Sequence, residues 1–117
     1  MSAFRTIRTG VLPQVSNVRL YDETIDHVRA HHPEVPVNLP SMIAAVENTL
    51  LNPTHIEKSR SHSYVYVDAQ TTNASGDPFR VPVKLIDGTS ALVKTFFFAS
   101  TRVSDEAIVW RRDANGR

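Results

Sequence analysis

The hydrophobic period of this chain changes once, and that change constrains its fold more than any other feature. Over residues 41–51, Ile43, Val46 and Leu50 repeat at i, i+3 and i+7, widened by Leu39, Met42 and Ala45. That is the stripe of an amphipathic helix. From Ser61 the period falls to two: Tyr64-Val65-Tyr66-Val67-Asp68-Ala69 alternates, as do Phe79, Val81, Val83 and Leu85 in the next run. A chain with this order places helices before a block of strands, not a βαβ alternation.

The remaining boundaries follow from local punctuation. Asp22 suits an N-cap, with Glu23 and Asp26 in the first turn, and the helix it opens runs from about Glu23 to His32. Pro33 stops it, because the residue before a proline avoids the α region. Pro36 and Pro40 keep Val35–Pro40 extended, and Asn52-Pro53 ends the second helix. Asp87-Gly88 signals a hairpin into a third strand, Ala91–Ala99, apolar on both faces and therefore central. Pro82 lacks a ladder donor, so its strand needs an edge or a bulge there. Ser104–Trp110 reads as a last short helix. The expected fold is α+β: two N-terminal helices packed on a three- to four-stranded antiparallel sheet. Residues 1–17 read as an arm with one strand near Arg5–Arg8, residues 18–110 as the single domain, and residues 111–117 as a frayed tail.

Composition removes several function classes. The chain has 117 residues and no cysteine, which excludes disulfide scaffolds, thiolate metal sites and cysteine nucleophiles. No apolar run approaches a membrane span and no signal peptide is visible, so the expected address is the cytoplasm, with no membrane partner. The net charge is only +1, which argues against a broad polyanion-binding surface. Residues 56–117 carry nine Lys/Arg against seven acids, which leaves room for a small anionic site among the strands.

Candidate chemistry concentrates in two places. Three of the five histidines, His27, His31 and His32, fall at the end of the first helix. His27 and His31 share a helix face, yet Val28, Arg29 and Ala30 stand between them, so the glutamate of a His-Glu-x-x-His zinc site is absent. No metal and no cofactor are expected. Acid/base chemistry suits imidazole better, and the helix C-terminus favours the charged form of His32. A histidine completing the Ile25/Val28 stripe reads equally well. His55 and His62 are looser candidates. Among the strands, Arg60, Arg80, Lys84 and Lys94 are candidate phosphate contacts, with Arg80 and Lys84 on one strand face; a solvated face is the plainer explanation. Lys94 interrupts an apolar strand, and the Thr95 hydroxyl beside it could bond a phosphate oxygen.

With these residues in place, the layout resembles a known family. Thr24-Ile25-Asp26-His27-Val28, then His32-Pro33-Glu34, a helix ending Leu51-Asn52-Pro53, and Val93-Lys94-Thr95-Phe96-Phe97 together look like the phage-associated barnase–EndoU–colicin–RelE-like (BECR-fold) nucleases. The resemblance covers residues 18–100. It implies a metal-independent endoribonuclease, toxin-like or a phage accessory domain, acting on RNA and paired in some cases with a cognate inhibitor or antitoxin. It implies catalytic roles for His32, His27 and Thr95, with Lys84 and Lys94 on the phosphate. The chain departs from the pattern by reading Phe96-Phe97 where a small residue and a tyrosine belong. The competing expectation is a non-catalytic phage or mobile-element interaction module that dimerises through its sheet, at the Pro82 edge or the apolar third strand.

Overall fold

The computed structural model describes residues 3–32, 39–100 and 103–112, with Leu39 and Pro40 as backbone only. It corrects the expected fold class. In place of two helices on a small antiparallel sheet there is a mixed sheet of eight strands, curved into a half-barrel, with two helices. The elements are β1 (Phe4–Leu12), β2 (Val15–Tyr21), α1 (Asp22–His31), α2 (Leu39–Leu51), β3 (His55–Lys58), β4 (Ser63–Thr72), β5 (Pro78–Asp87), β6 (Ser90–Val93), β7 (Phe97–Phe98), a 3-10 turn (Asp105–Ala107) and β8 (Ile108–Arg111). The strands lie in the order β1-β2-β6-β5-β4-β3-β8, and β7 pairs with β5.

The presumed N-terminal arm holds the whole of β1 and the first three residues of β2. Its alternation is hard to see because Thr9 takes an inward position beside Ile7; the Thr9 hydroxyl is satisfied by donating to the Leu50 carbonyl at 2.7 Å. β2 then lies parallel to β6, Val18 beside Ala91, so the sheet is mixed. At the other end, the expected Ser104–Trp110 helix is a single 3-10 turn followed by β8, where Trp110 pairs with Ile56. Ile108 and Trp110 stand two apart, the period of a strand and not of a helix face, and pairing with β3 uses it. Arg111 belongs to that strand. Arg112 is held too: its Nη2 donates to the Asn52 and Pro53 carbonyls at 2.6 and 3.1 Å, closing the end of α2. The extended segment expected around Val35–Pro40 lies mostly outside the described residues.

Both helices pack on one sheet face, the helix face. Ile25 and Val28 of α1 and Met42, Val46 and Leu50 of α2 meet Val18, Leu20, Tyr66, Phe79, Val81, Val83, Ala91 and Val93. Each such side chain stabilises the fold by roughly 1.5–3 kcal/mol through burial. Helix α1 starts one residue earlier than expected; Tyr21 occupies the cap position with no side-chain bond, and the Asp22 amide donates to the Ala3 carbonyl at 3.0 Å. Asp68 reaches in from the sheet to accept from Asn48 Nδ2 and Thr71 Oγ1 at 3.1 and 2.7 Å, which fixes α2 against β4.

The expected third strand is broken, and Pro82 explains the break. Val83 pairs with Val93 but Arg80 pairs with Phe97, so residues 94–96 span the length of residues 81–82. The Lys94 amide donates to the Pro82 carbonyl at 2.9 Å. Proline has no N–H to return the bond, and a β-bulge follows. The bulge moves Phe96 to the core, fully buried, and turns Phe97 to the other side beside Arg80. β5 and β6 are interior strands, so Pro82 marks a bulge and not an edge, whereas β7 pairs on one side only, with β5. Among the described residues, the outermost strands are β1 and β8.

Candidate active site

The sheet face turned away from the helices, the far face, carries the polar chemistry. His55 on β3, Val67 on β4, Arg80 on β5 and Phe97 on β7 are successive register partners, a single row across four strands. Glu57 lies two residues along β3 and so on the same face. Its Oε2 meets His55 Nε2 at 2.9 Å, and its Oε1 accepts from Arg80 Nη2. The three side chains form a chain of charge-assisted bonds, and their exposure grades outward: 4% for Glu57, 6% for Arg80 and 23% for His55. Burial pushes the Glu57 carboxyl up, but the hydrogen bond from His55 and the charge and hydrogen bond of Arg80 outweigh it, holding the group below the usual carboxylate range. An ionised Glu57 accepts only, so it draws the proton of His55 to Nε2 and leaves Nδ1 with its lone pair.

A second histidine enters the row from the side. Thr24 Oγ1 donates to the Val93 carbonyl at 3.5 Å, which sets the start of α1 beside β6. The helix then runs along the break in the strand, and the His32 ring stacks on Phe97, centroids 5.4 Å apart at 18°. His32 is half-buried at this edge and absent from the core cluster that Ile25 and Val28 join. Its amide donates to the Val28 carbonyl at 2.7 Å, so it closes the C-terminus of α1. Thr95, in the bulge two residues before Phe97, is half-buried as a residue, but its Oγ1 is sealed from solvent and has no hydrogen-bond partner among the described residues.

The other sequence candidates divide. Lys84 is exposed on the far face, paired in register with Ser63 and Leu92; Lys94 is exposed opposite Pro82. His27 is exposed on α1 with its ring against His31, centroids 4.5 Å apart. Arg60 is exposed in the β3–β4 turn, a turn that Lys58 Nζ closes by donating to the Ser59 and Arg60 carbonyls at 3.1 and 2.8 Å. Arg80 is not a free phosphate ligand: its guanidinium is buried on Glu57. Among the described residues, no group of three or more histidine, aspartate or glutamate side chains is arranged to hold a metal ion, and no helix is long and apolar enough to cross a membrane. Comparison with protein-family models, with curated proteins and with solved structures returns no match.

Sequence reasoning passed over Glu57 and Phe97 and ranked His55 low. A legible signal existed in the His55-x-Glu57 spacing, which puts both on one strand face. The partner Arg80 lies 23 residues on. Phe97 reaches this face only through the bulge, which simple alternation does not contain.

Proposed function

We propose that this protein is a metal-independent endoribonuclease, toxin-like or a phage accessory enzyme, that cleaves RNA by attack of a 2′-hydroxyl on the adjacent phosphate. The reading is carried by the buried Arg80–Glu57 pair that ends on a partly exposed imidazole in the same row as the His32–Phe97 stack. His55, oriented by Glu57, takes the 2′-hydroxyl proton at Nδ1. The 2′-oxygen forms a bond to phosphorus, and the phosphorus–5′-oxygen bond breaks to leave a 2′,3′-cyclic phosphate. His32 returns a proton to the 5′-oxygen. Lys84 and Lys94 balance the charge of the phosphorane, and the Thr95 hydroxyl, sealed in the free protein, bonds one of its oxygens once the bulge opens to the substrate. Arg80 positions Glu57 and does not touch the substrate.

The test is incubation of purified protein with total RNA in EDTA. Cleavage ending in cyclic phosphates is expected, falling by at least about 100-fold in His55→Ala and in His32→Ala, the ordinary yield of one acid/base group. His27→Ala keeps near-full activity. Absence of cleavage by the unaltered protein, or equal cleavage by the His32→Ala/His55→Ala double variant, overturns the reading.

A further inference from the structure

The far face does not end at the row of His55 and Arg80. Lys84 on β5, Leu92 on β6, Arg19 on β2 and Thr6 on β1 form another row of register partners. Next to it, Tyr21 pairs with Phe4. These last residues make a built cluster at the far side of the sheet. The Phe4 and Tyr21 rings lie 5.0 Å apart, and the Arg19 guanidinium sits over Phe4 at 5.1 Å while donating to Tyr21 Oη at 3.3 Å. Phe4 is 48% exposed on an outermost strand. Arg8 is exposed on the same strand face. The acids on this face of the strands are Glu57, already paired with Arg80, and Asp87 at the hairpin end.

We infer that Phe4, Tyr21 and Arg19 form a nucleobase-binding subsite for single-stranded RNA, separate from the reacting row and holding the strand that leads to it. Exposed aromatic rings among cations on a sheet face are what unpaired bases require: a π-face to stack on and positive charge to meet the flanking phosphates. Arg19 lies two strand spacings from Lys84, roughly 10 Å, a reach that a couple of nucleotides cover. A duplex, whose bases are stacked internally, cannot use such a surface. A peptide adding as a strand to the free edge of β1 would bind through main-chain hydrogen bonds and would not depend on the Phe4 ring.

This subsite rests on the reading of the chain as an RNA-acting protein, but its test does not depend on cleavage. A short 5′-labelled oligonucleotide with 2′-O-methyl riboses throughout cannot undergo 2′-hydroxyl attack, and its binding to the full chain is followed by fluorescence anisotropy. Phe4→Ala is expected to weaken binding roughly tenfold, Phe4→Trp to preserve it, and Arg19→Ala to reduce the salt slope by about one. Melting curves of the variants should match the unaltered protein, because Phe4 is largely outside the core. Failure of the unaltered protein to bind, equal binding by Phe4→Ala, or equal binding of double-stranded RNA each overturns the subsite. Binding with the expected losses but no cleavage of natural RNA leaves the subsite standing and removes the nuclease reading. Cleavage with no effect of Phe4→Ala does the reverse.

Discussion

Arg80 reaches across β4 to Glu57, and the ion pair they form is almost sealed from solvent on a sheet face that carries no helix. Two charges taken out of water each lose several kcal/mol of hydration, and their attraction repays this only while both remain. Removing one partner is therefore expected to cost far more than removing both. Glu57→Gln should destabilise the fold by about 3–5 kcal/mol by leaving Arg80 uncompensated. Glu57→Leu combined with Arg80→Met should cost less than either single change. Chemical denaturation of the two single variants and the double variant gives the coupling directly; additive losses would mean that the pair is not coupled.

Acid should act through the same carboxyl. Glu57 has a folded-state pKa below its ordinary value of 4.5, so the unfolded chain binds its proton first as pH falls. The stability it contributes is complete above 4.5 and is lost as pH drops from there through the lowered value. The denaturation midpoint of the unaltered protein should fall steeply over that window, and Glu57→Gln, with nothing left to protonate, should show a shallower decline. Parallel curves for the two proteins would place the acid sensitivity elsewhere.

Tyr66 has the opposite problem. Its ring is fully buried between Ile56 and Val81, and its Oη has no hydrogen-bond partner among the described residues. A buried hydroxyl that gave up water for nothing is a burden, so Tyr66→Phe should be neutral or stabilising by up to about 1 kcal/mol. Burial, helped by the neighbouring Tyr64, raises the phenol above its ordinary value of 10. The folded form thus holds its proton when the unfolded chain has lost it: stability is intact below pH 10 and declines as pH rises beyond it. The Tyr66→Phe variant should lose less stability in alkali than the unaltered protein, as thermal melts across that range would record.

Residue pattern and fold agree where one period acts alone. The apolar stripe through Val46 and Leu50, widened by Met42, and the alternation of Phe79, Val81 and Val83 were readable because burial on one face leaves a single solution. Where two signals compete, pairing decides. Thr9 blurs β1 by placing a polar group at an inward position, and the four residues of β8 are too few for their period of two to stand out until β3 pairs with them. The candidate site was legible in its histidines and cations but not in its assembly. His55 and Glu57 become a functional pair only when β4 brings Arg80 alongside, and His32 acquires its aromatic neighbour only because Pro82 forces an extra residue into the facing strand.

That extra residue is Thr95, and removing it separates fold from function. With Thr95 gone, Lys94 would still face Pro82, Phe96 would face Val81 in the core, and Phe97 and Phe98 would keep their partners Arg80 and Phe79. Alternation along residues 93–98 then becomes regular, so the shortened chain is expected to fold with a loss of no more than about 1–2 kcal/mol, the scale of an ordinary local change. What disappears is the sealed, unpartnered hydroxyl of Thr95 and the bulge that holds it. Under the proposed mechanism RNA cleavage should fall by at least about tenfold, the weight of a single transition-state hydrogen bond, while binding of the non-cleavable oligonucleotide through Phe4 and Arg19 persists. Thr95→Val, which keeps the bulge but not the hydroxyl, should lose activity to a similar degree. Full activity in both variants would remove Thr95 from the site; an unfolded shortened chain would show that the bulge itself holds α1 to the sheet.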